Sequence, residues 1–323
     1  MAVKHNDLRR TIPRVLVSNG FYLVFVILFL FYTFSSEYFL TVLNIRNILS
    51  DAASIMVICT GLAFVIMTGS LDLSVGSVAF LCASITSLLI KAGQPVVLSL
   101  LFGMIAGIVV GAVNGVLVAL LNFNPLLVTL GMMIGLRGVT MHLTKGWQIY
   151  IPTEVKKLAI DLAGPVQRIV ILALVVIILG QLVLKRTRFG RYVTAVGCSG
   201  LSAKRIGLNV RAIRFSVFVV SGTLAALGGI IAMMNMGVLQ PTLGRGLEFI
   251  AVAAIVMGGT SLFGGQGSMV PGTLFGVLML GIIENGLALL AVSPFAYPLV
   301  RGVVIFVAMY ADSLKNSRLA IAR

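Results

Sequence analysis

Charged residues are scarce in this chain. Only 10% of its 323 residues are charged, whereas charged residues make up about a quarter of an average soluble domain. Hydrophobic residues make up 59% of the sequence, and the mean hydropathy is +1.11. No soluble fold buries that much apolar surface. The composition therefore excludes a soluble globular domain and predicts a membrane protein.

Cysteine and histidine are too few and too scattered to suggest a catalytic or metal site. Cys59 and Cys82 lie in apolar stretches and Cys198 lies in a basic stretch, without the paired spacing of metal ligands. His5 and His142 have no neighbouring ligand cluster, and no Ser-His or Asp pair has catalytic spacing. We therefore predict no catalytic residue, no metal and no cofactor in this chain, and no enzymatic activity.

The net charge of +15 does not indicate nucleic-acid binding. The basic residues flank apolar stretches and do not form a basic face with interleaved aromatic side chains. Basic loops beside membrane spans resist translocation and stay in the cytoplasm. The positive charge is therefore interpreted as a signal for orientation in the membrane, and no nucleic-acid partner is expected.

Apolar stretches long enough to cross a membrane recur along the whole chain. A transmembrane helix needs roughly 20 mostly apolar residues. We predict an all-α polytopic membrane protein with a single transmembrane domain over residues 1–323 and about ten helices. The first helix lacks a small-x-small cleavage site, so it is expected to be an uncleaved span. The predicted helices are 16–34, 52–70, 75–90, 96–121, 126–145, 167–184, 213–236, 247–262, 271–291 and 296–312.

The richest basic segment lies between the sixth and seventh predicted helices. Eight Lys and Arg residues fall between Lys185 and Arg214, with no acidic residue among them. Placing this segment, with its central loop at 185–212, in the cytoplasm puts both termini there too. Fifteen of the 24 basic residues then lie inside and seven lie outside or at the outer edge. We therefore expect Gly200 on the cytoplasmic side and Glu154 on the outside.

Two glycine-rich turns carry the most distinctive sequence of the chain. The first, residues 68–77, joins the second and third predicted helices, and we expect a tight cytoplasmic hairpin there. Asp72 and Ser74 are expected to cap the helix that follows. The second turn, residues 258–268, joins the eighth and ninth predicted helices. The candidate residues of the two turns are Asp72, Ser74, Gly76, Ser77, Gly264, Gly265, Gly267 and Ser268.

Few ionisable residues lie within the predicted spans. Glu284 and Arg301 lie about 10 Å and about 7 Å from the outer ends of their helices, so their similar depth permits a salt bridge. Such a pair would avoid leaving either charge alone in lipid. Arg137 has no evident partner, although Glu248 is available if their helices meet.

The turns belong to a larger pattern that resembles a known family. With the Asn-Gly pairs at 114–115 and 285–286 and the runs 187–191 and 195–210, they closely resemble the permease subunits of ribose-type sugar ABC importers. The resemblance covers nearly the whole chain. The chain departs from the family's usual glycine and asparagine at two positions, Ser70 and Ser199.

The resemblance implies a permease that moves a pentose-type or hexose-type monosaccharide across the bacterial inner membrane. Its implied partners are a cytoplasmic ATPase subunit, a periplasmic sugar-binding protein and a second permease copy. The loop at 264–268 lacks the lysine of a phosphate-binding loop, so ATP would be bound by the ATPase subunit. Ala203 and Gly207 are expected on one face of a short docking helix. The residues implied to couple to the ATPase are Ala195, Gly197, Ala203, Lys204, Arg205 and Gly207.

A sugar carries hydroxyl groups and no charge, so its path should offer amide and hydroxyl side chains. The candidates for this path are Asn114, Asn124, Asn235, Gln240 and Asn285. Two other interpretations stay open, namely a nucleoside or branched-chain amino-acid ABC permease of the same superfamily, and a stand-alone secondary transporter. Against the latter, no predicted span carries a set of carboxylates suited to proton relay.

Overall fold

The computed structural model of this protein describes residues 21–160, 167–300, 302, 303 and 306. Arg301 lies outside the described residues, and so does the expected pair of Arg301 with Glu284. Most of the predicted helix at 296–312 lies outside them too. The described helices are α1 (Phe21–Ser35), α2 (Val42–Met67), α3 (Val75–Lys91), α4 (Val96–Gly115), α5 (Pro125–Thr144), α6 (Thr153–Ile160), α7 (Arg168–Arg186), α8 (Arg188–Cys198), α9 (Gly200–Arg205), α10 (Val210–Met236), α11 (Leu247–Met257) and α12 (Leu274–Leu289).

Short irregular elements adjoin several of these helices. A π-helical turn, Val116–Leu120, extends α4, and another, Met269–Thr273, precedes α12. A 3₁₀ turn, Pro294–Ala296, follows α12. The strands β1 (Ile149–Tyr150) and β2 (Val238–Leu239) pair antiparallel. They join the segments that follow α5 and α10, so these two helices end at the same end of the bundle.

The helices confirm an all-α polytopic membrane protein. Six of those described are long and apolar enough to cross a membrane, namely α2, α4 with its extension, α5, α7, α10 and α12 with its preceding turn. The count of ten crossing helices is not reached within the described residues. The prediction of a span at 247–262 is wrong, because α11 has 11 residues and extends only about 16 Å.

Helix α2 begins ten residues before the predicted span at 52–70. Thr41 caps it by accepting a hydrogen bond from the Asn44 backbone N–H at 3.3 Å. The first turns of the helix contain Arg46 and Asp51, which lower the local hydropathy. Hydropathy therefore places the start of this helix too late, whereas the Thr41 cap determines where it begins.

Helix α10 lies at the centre of the bundle and packs closely against α4. Glycines repeat every four residues along the face of α4 that meets α10, at Gly103, Gly107, Gly111 and Gly115. A Cβ added to Gly107 or Gly111 would meet backbone atoms of α10. Small residues allow helix backbones to approach where lipid removes the hydrophobic drive for association. This stripe therefore sets the close packing of α4 on α10.

The two ends of the bundle differ in charge. We call the end with α8, α9 and the start of α10 the basic end, because it carries the segment from Lys185 to Arg214. We call the end with β1, β2 and α6 the strand end. Helix α2 finishes at the basic end, since the Met67 carbonyl accepts a hydrogen bond from the Gly265 backbone N–H beside α8.

The first glycine-rich turn differs from the expected tight hairpin. The chain turns at Thr68 and Gly69 and then runs back into the bundle without helical structure over residues 70–74. Its Asp72 carboxylate reaches Ser221, which lies about 16 Å from the start of α10, near the middle of that helix. Helix α3 therefore begins inside the bundle and runs only from there to the strand end.

A second short helix begins at the same place. Gly76 in the first turn of α3 lies directly against Gly244, just before α11, and a Cβ on either glycine would clash with the other's carbonyl oxygen. Helix α11 runs from there to the basic end, where Gly258 packs against Gly272. The N-termini of two oppositely directed short helices thus meet in the middle of the bundle.

Candidate functional site: a glycine junction and a central polar cluster

Two capped helices form the surface of the basic end. The Thr187 hydroxyl accepts from the Gly190 backbone N–H at 3.2 Å and caps α8. The Ser199 hydroxyl accepts from the Ser202 backbone N–H at 3.2 Å and caps α9. Serine and asparagine are both good N-cap residues. Ser199 stands where the family usually has asparagine, and it still caps α9 at the turn between α8 and α9.

A tightly packed contact, which we call the glycine junction, connects α8 to the interior of the bundle. It comprises Met67, Gly69, Gly197, Gly264 and Gly265. A Cβ on Gly197 would clash with the Met67 carbonyl oxygen and the Gly265 nitrogen. The Gly265 N–H donates to the Met67 carbonyl at 2.9 Å, and a Cβ on Gly264 would lie 2.8 Å from the Gly69 nitrogen. Backbone therefore packs on backbone among α8, the end of α2 and the second turn.

This packing gives the junction a mechanical property. No flexible side chain separates Gly197 from its two backbone neighbours. Close-packed interiors transmit displacement and do not absorb it. A movement of α8 would consequently move the end of α2 and the 258–268 turn together.

Helix α9 presents a different surface from the expected one. Ala203 is only 2% exposed and belongs to the core. Gly207 lies beyond the end of α9 in the left-handed region, with φ +83° and no atom within 4 Å of an added Cβ. The expectation that these two residues share one face of a docking helix is wrong. The exposed side chains of this segment are Leu201, Ser202, Lys204, Arg205 and Ile206.

The remaining turn residues are packed in the bundle. The Ser77 hydroxyl donates to the Met133 carbonyl at 2.7 Å and ties α3 to α5. A Cβ on Gly267 would clash with the Met67 side chain. The Ser268 hydroxyl donates to the Val270 carbonyl at 2.9 Å. The sequence motifs thus mark close packing between elements as well as turns.

A central polar cluster lies where α3 begins. The Asp72 carboxylate accepts from the Ser74 backbone N–H at 3.0 Å, the Ser74 hydroxyl at 2.6 Å and the Ser221 hydroxyl at 2.9 Å. The Asn114 amide donates to the Ser74 hydroxyl at 2.9 Å. Ser74 stands at the N-cap position but makes no side-chain cap bond. The expected capping by Ser74 is therefore replaced by its bonds to Asp72 and Asn114.

Two further charges lie beside the first turns of α3, against Phe80 and Gly76. Arg137 on α5 lies over the Phe80 ring at 5.3 Å and donates to the Leu243 carbonyl at 3.3 Å. Glu248, in the first turn of α11, is 5% exposed and interacts electrostatically with Arg137. Arg137 Nη1 and Glu248 Oε2 are both buried without a hydrogen-bond partner. The structure thus brings together two charges whose proximity the sequence left open.

The amides predicted to line a path lie in separate places. Asn114 belongs to the central polar cluster, whereas Asn124 caps α5 by accepting from the Leu126 N–H at 2.9 Å. Asn285 exchanges hydrogen bonds of 2.9 and 2.8 Å with Asn44. The other two lie near the strand end. Asn235 donates a hydrogen bond to the Asp51 carboxylate, and Gln240 accepts one from the Thr242 hydroxyl. The structure therefore does not gather the five candidates on one surface.

Crossing helices, a buried polar cluster midway along them and a packed junction under a basic surface are features of a polytopic transport permease. The chain belongs to the family described as the permease component of the branched-chain amino acid transport system, whose model matches residues 44–309. No solved structure matches the chain.

Curated relatives of nearly full length confirm the resemblance to ABC importer permeases. The ribose import permease of Escherichia coli K12 is 37% identical over 286 residues, which cover 87% of this chain and 89% of that protein. The L-arabinose ABC transporter permease of Azospirillum brasilense is 34% identical, covering 93% and 88%. The D-allose transport system permease of Escherichia coli K12 is 33% identical, covering 91% and 90%.

Proposed function

We propose that this protein is the membrane subunit of an ABC importer and carries a monosaccharide across the bacterial inner membrane. The glycine junction is the observation that carries the proposal, because it connects an exposed basic surface to two elements inside the bundle. The relatives named for ribose, arabinose and allose support a sugar substrate. Energy comes from a separate ATPase subunit, and a periplasmic binding protein delivers the sugar.

The ATPase subunit docks on α8 and α9. The exposed pair Leu201 and Ile206 supplies an apolar contact, and Arg205 supplies charge beside it. Ala195 and Gly197 lie in the last turns of α8, next to the junction. ATP-driven closure of the ATPase would push α8, and the junction would pass that push to α2 and to the 258–268 turn.

The sugar passes the central polar cluster. Asn114 Oδ1, Arg137 Nη1 and Glu248 Oε2 are buried without hydrogen-bond partners, and a sugar hydroxyl both donates and accepts. These unpartnered atoms become partners for hydroxyl groups when the bundle opens. The packed arrangement corresponds to a closed path.

The basic end lies in the cytoplasm and the strand end outside. We expect an impermeant maleimide to label a cysteine at Glu154, but not one at Gly200, in intact cells that express a cysteine-free background. Gly200 should become reactive after the cells are opened, which is the internal control. Labelling of Gly200 but not Glu154 in intact cells would reverse the orientation.

A second copy of the chain packs on α5. Gly131, Gly135 and Gly138 have no atom within 4 Å of an added Cβ, and large apolar side chains beside them, such as Ile134 at 69% exposure, have no cover. Small residues at this spacing allow two helices to approach closely in lipid. The exposed face of α5 is therefore the proposed dimer interface.

Gly135→Leu is expected to shift the purified permease from dimer to monomer, because the added side chain would hold the two α5 helices apart. Light scattering coupled to size-exclusion chromatography measures the mass. Val175→Leu on the exposed face of α7 is the control and should stay dimeric. A Gly135→Leu protein that remains dimeric would remove α5 from the interface.

Competition for uptake tests the class of substrate. Cells expressing the permease with its ATPase and binding protein should take up at least one of labelled D-ribose, L-arabinose and D-allose. Excess unlabelled sugar should block that uptake, whereas excess leucine should not. Because the family description refers to branched-chain amino acids, uptake of labelled leucine with no sugar uptake would favour that alternative.

A further inference from the structure

A groove at the basic end lies apart from the junction. It has a volume of about 710 Å³ and is formed by the segment after α4, helix α9 and the start of α10. Three cationic side chains, Lys204, Arg211 and Arg214, line it together with the amides of Asn122 and Asn209. Its volume falls within the range of small-molecule sites, about 300 to 1,000 Å³.

The cations in this groove have no carboxylate to neutralise them within the described chain. The described acidic residues lie at the strand end or in the middle of the bundle, and they are Glu37, Asp51, Asp72, Glu154, Glu248 and Glu284. Arg214 Nε is buried without a hydrogen-bond partner. A buried cationic donor without a partner is costly. The groove is therefore suited to an anion that comes from outside the described chain.

The depth of the groove indicates where that anion comes from. Arg211 and Arg214 belong to the crossing helix α10, about 1.5 Å and about 6 Å from its start. Beside them the segment after α4 exposes Leu120, Leu121 and Phe123, at 46%, 54% and 54%. Cations thus adjoin exposed apolar side chains at the level where lipid headgroups meet acyl chains.

We propose that this groove binds the phosphate group of an anionic phospholipid. Lys204, Arg211 and Arg214 neutralise the phosphate, the two amides bond its ester and hydroxyl oxygens, and the acyl chains lie along the segment after α4. The lipid joins α9 to the start of α10. The inference rests on the membrane location of the chain and does not depend on its being a sugar importer.

Lipid binding to the purified, full-length permease tests this proposal. Native mass spectrometry would compare dioleoylphosphatidylglycerol with dioleoylphosphatidylcholine. The wild-type chain should retain phosphatidylglycerol selectively. The double variant Arg211→Gln/Arg214→Gln should bind it about thirtyfold more weakly, the effect of two lost surface charges. Lys185→Gln/Arg186→Gln removes the same charge from the same end outside the groove and should bind as wild type does.

A milder variant keeps the test independent of folding. Lys204→Gln changes an exposed side chain and should weaken phosphatidylglycerol binding about fivefold. Equal binding by the groove and control variants would overturn the proposal. So would displacement of the lipid by inorganic phosphate at low millimolar concentration, because the groove would then be a site for free anions. Absence of selective binding to the wild-type chain would assign the groove to another partner, such as an acidic side chain of the ATPase.

Discussion

Gly197→Ala is expected to reduce transport by at least about fivefold, because inserting a group into a packed interior costs about 1 to 3 kcal/mol. The added methyl group would clash with the Met67 carbonyl oxygen and with the Gly265 nitrogen. Both are backbone atoms, which a rotamer change cannot move. The variant should therefore separate α8 from the bundle. Uptake of labelled sugar in cells, with the ATPase and binding protein present, measures the loss.

Gly200→Ala is the matched control. It adds the same methyl group three residues further along, where the nearest atom is Arg214 Nη2 at 3.7 Å, an ordinary contact. This variant should transport at the wild-type rate. Size-exclusion profiles of both variants report folding separately from transport. If Gly197→Ala transports as well as Gly200→Ala, the junction does not carry the coupling.

Asp72→Ala should destabilise the folded permease strongly. The carboxylate accepts three hydrogen bonds at 2% exposure, and a hydrogen bond to a charged group contributes about 1.5 to 3 kcal/mol. Truncation would also leave the Ser221 hydroxyl without its acceptor. We expect a loss of at least about 3 kcal/mol, seen as a lower midpoint of thermal unfolding in detergent.

Two variants define the cause of that loss. Asp51→Ala removes an exposed carboxylate with one hydrogen bond, to Asn235, and should change the unfolding midpoint little. Ser221→Ala should have an intermediate effect, and its effect should not add to that of Asp72→Ala because the two residues share a bond. If Asp72→Ala and Asp51→Ala unfold at the same midpoint temperature, the central polar cluster does not stabilise the fold as proposed.

The sequence predicted the class of fold and the motifs well, because both depend on composition and local pattern. Its apolar stretches predicted a polytopic helical protein, and the runs around Gly197 and Gly265 indicated the family. The contact between these two glycines could not be predicted, since backbone packing leaves no sign in a sequence except the absence of a side chain.

Depth within the membrane was the main error. Hydropathy measures how apolar a stretch is, and it does not show where in the bilayer a helix starts. Hydropathy therefore predicts that residues 70–74 belong to a short hairpin. In the structure, this segment places Asp72 beside the middle of α10. For the same reason, the predicted span at 247–262 continues beyond Met257, where α11 ends.

Side-chain polarity predicted some partners and missed others. Asn114 is a polar residue within a predicted span, and it lies in the central polar cluster. Asn285 is also a polar residue within a predicted span, but it bonds Asn44, because an amide within the membrane forms hydrogen bonds to polar groups on neighbouring helices. Which amide remains available for a substrate depends on how the helices pack.

The dependence of transport on ATP tests the proposed function most directly. The permease and its ATPase would be reconstituted in proteoliposomes, with ATP inside and the sugar-loaded binding protein outside. The proposal predicts accumulation of labelled sugar only when hydrolysable ATP is enclosed, and little accumulation with Gly197→Ala. Accumulation without ATP, driven by a proton or sodium gradient through the permease alone, would contradict it and favour a secondary transporter.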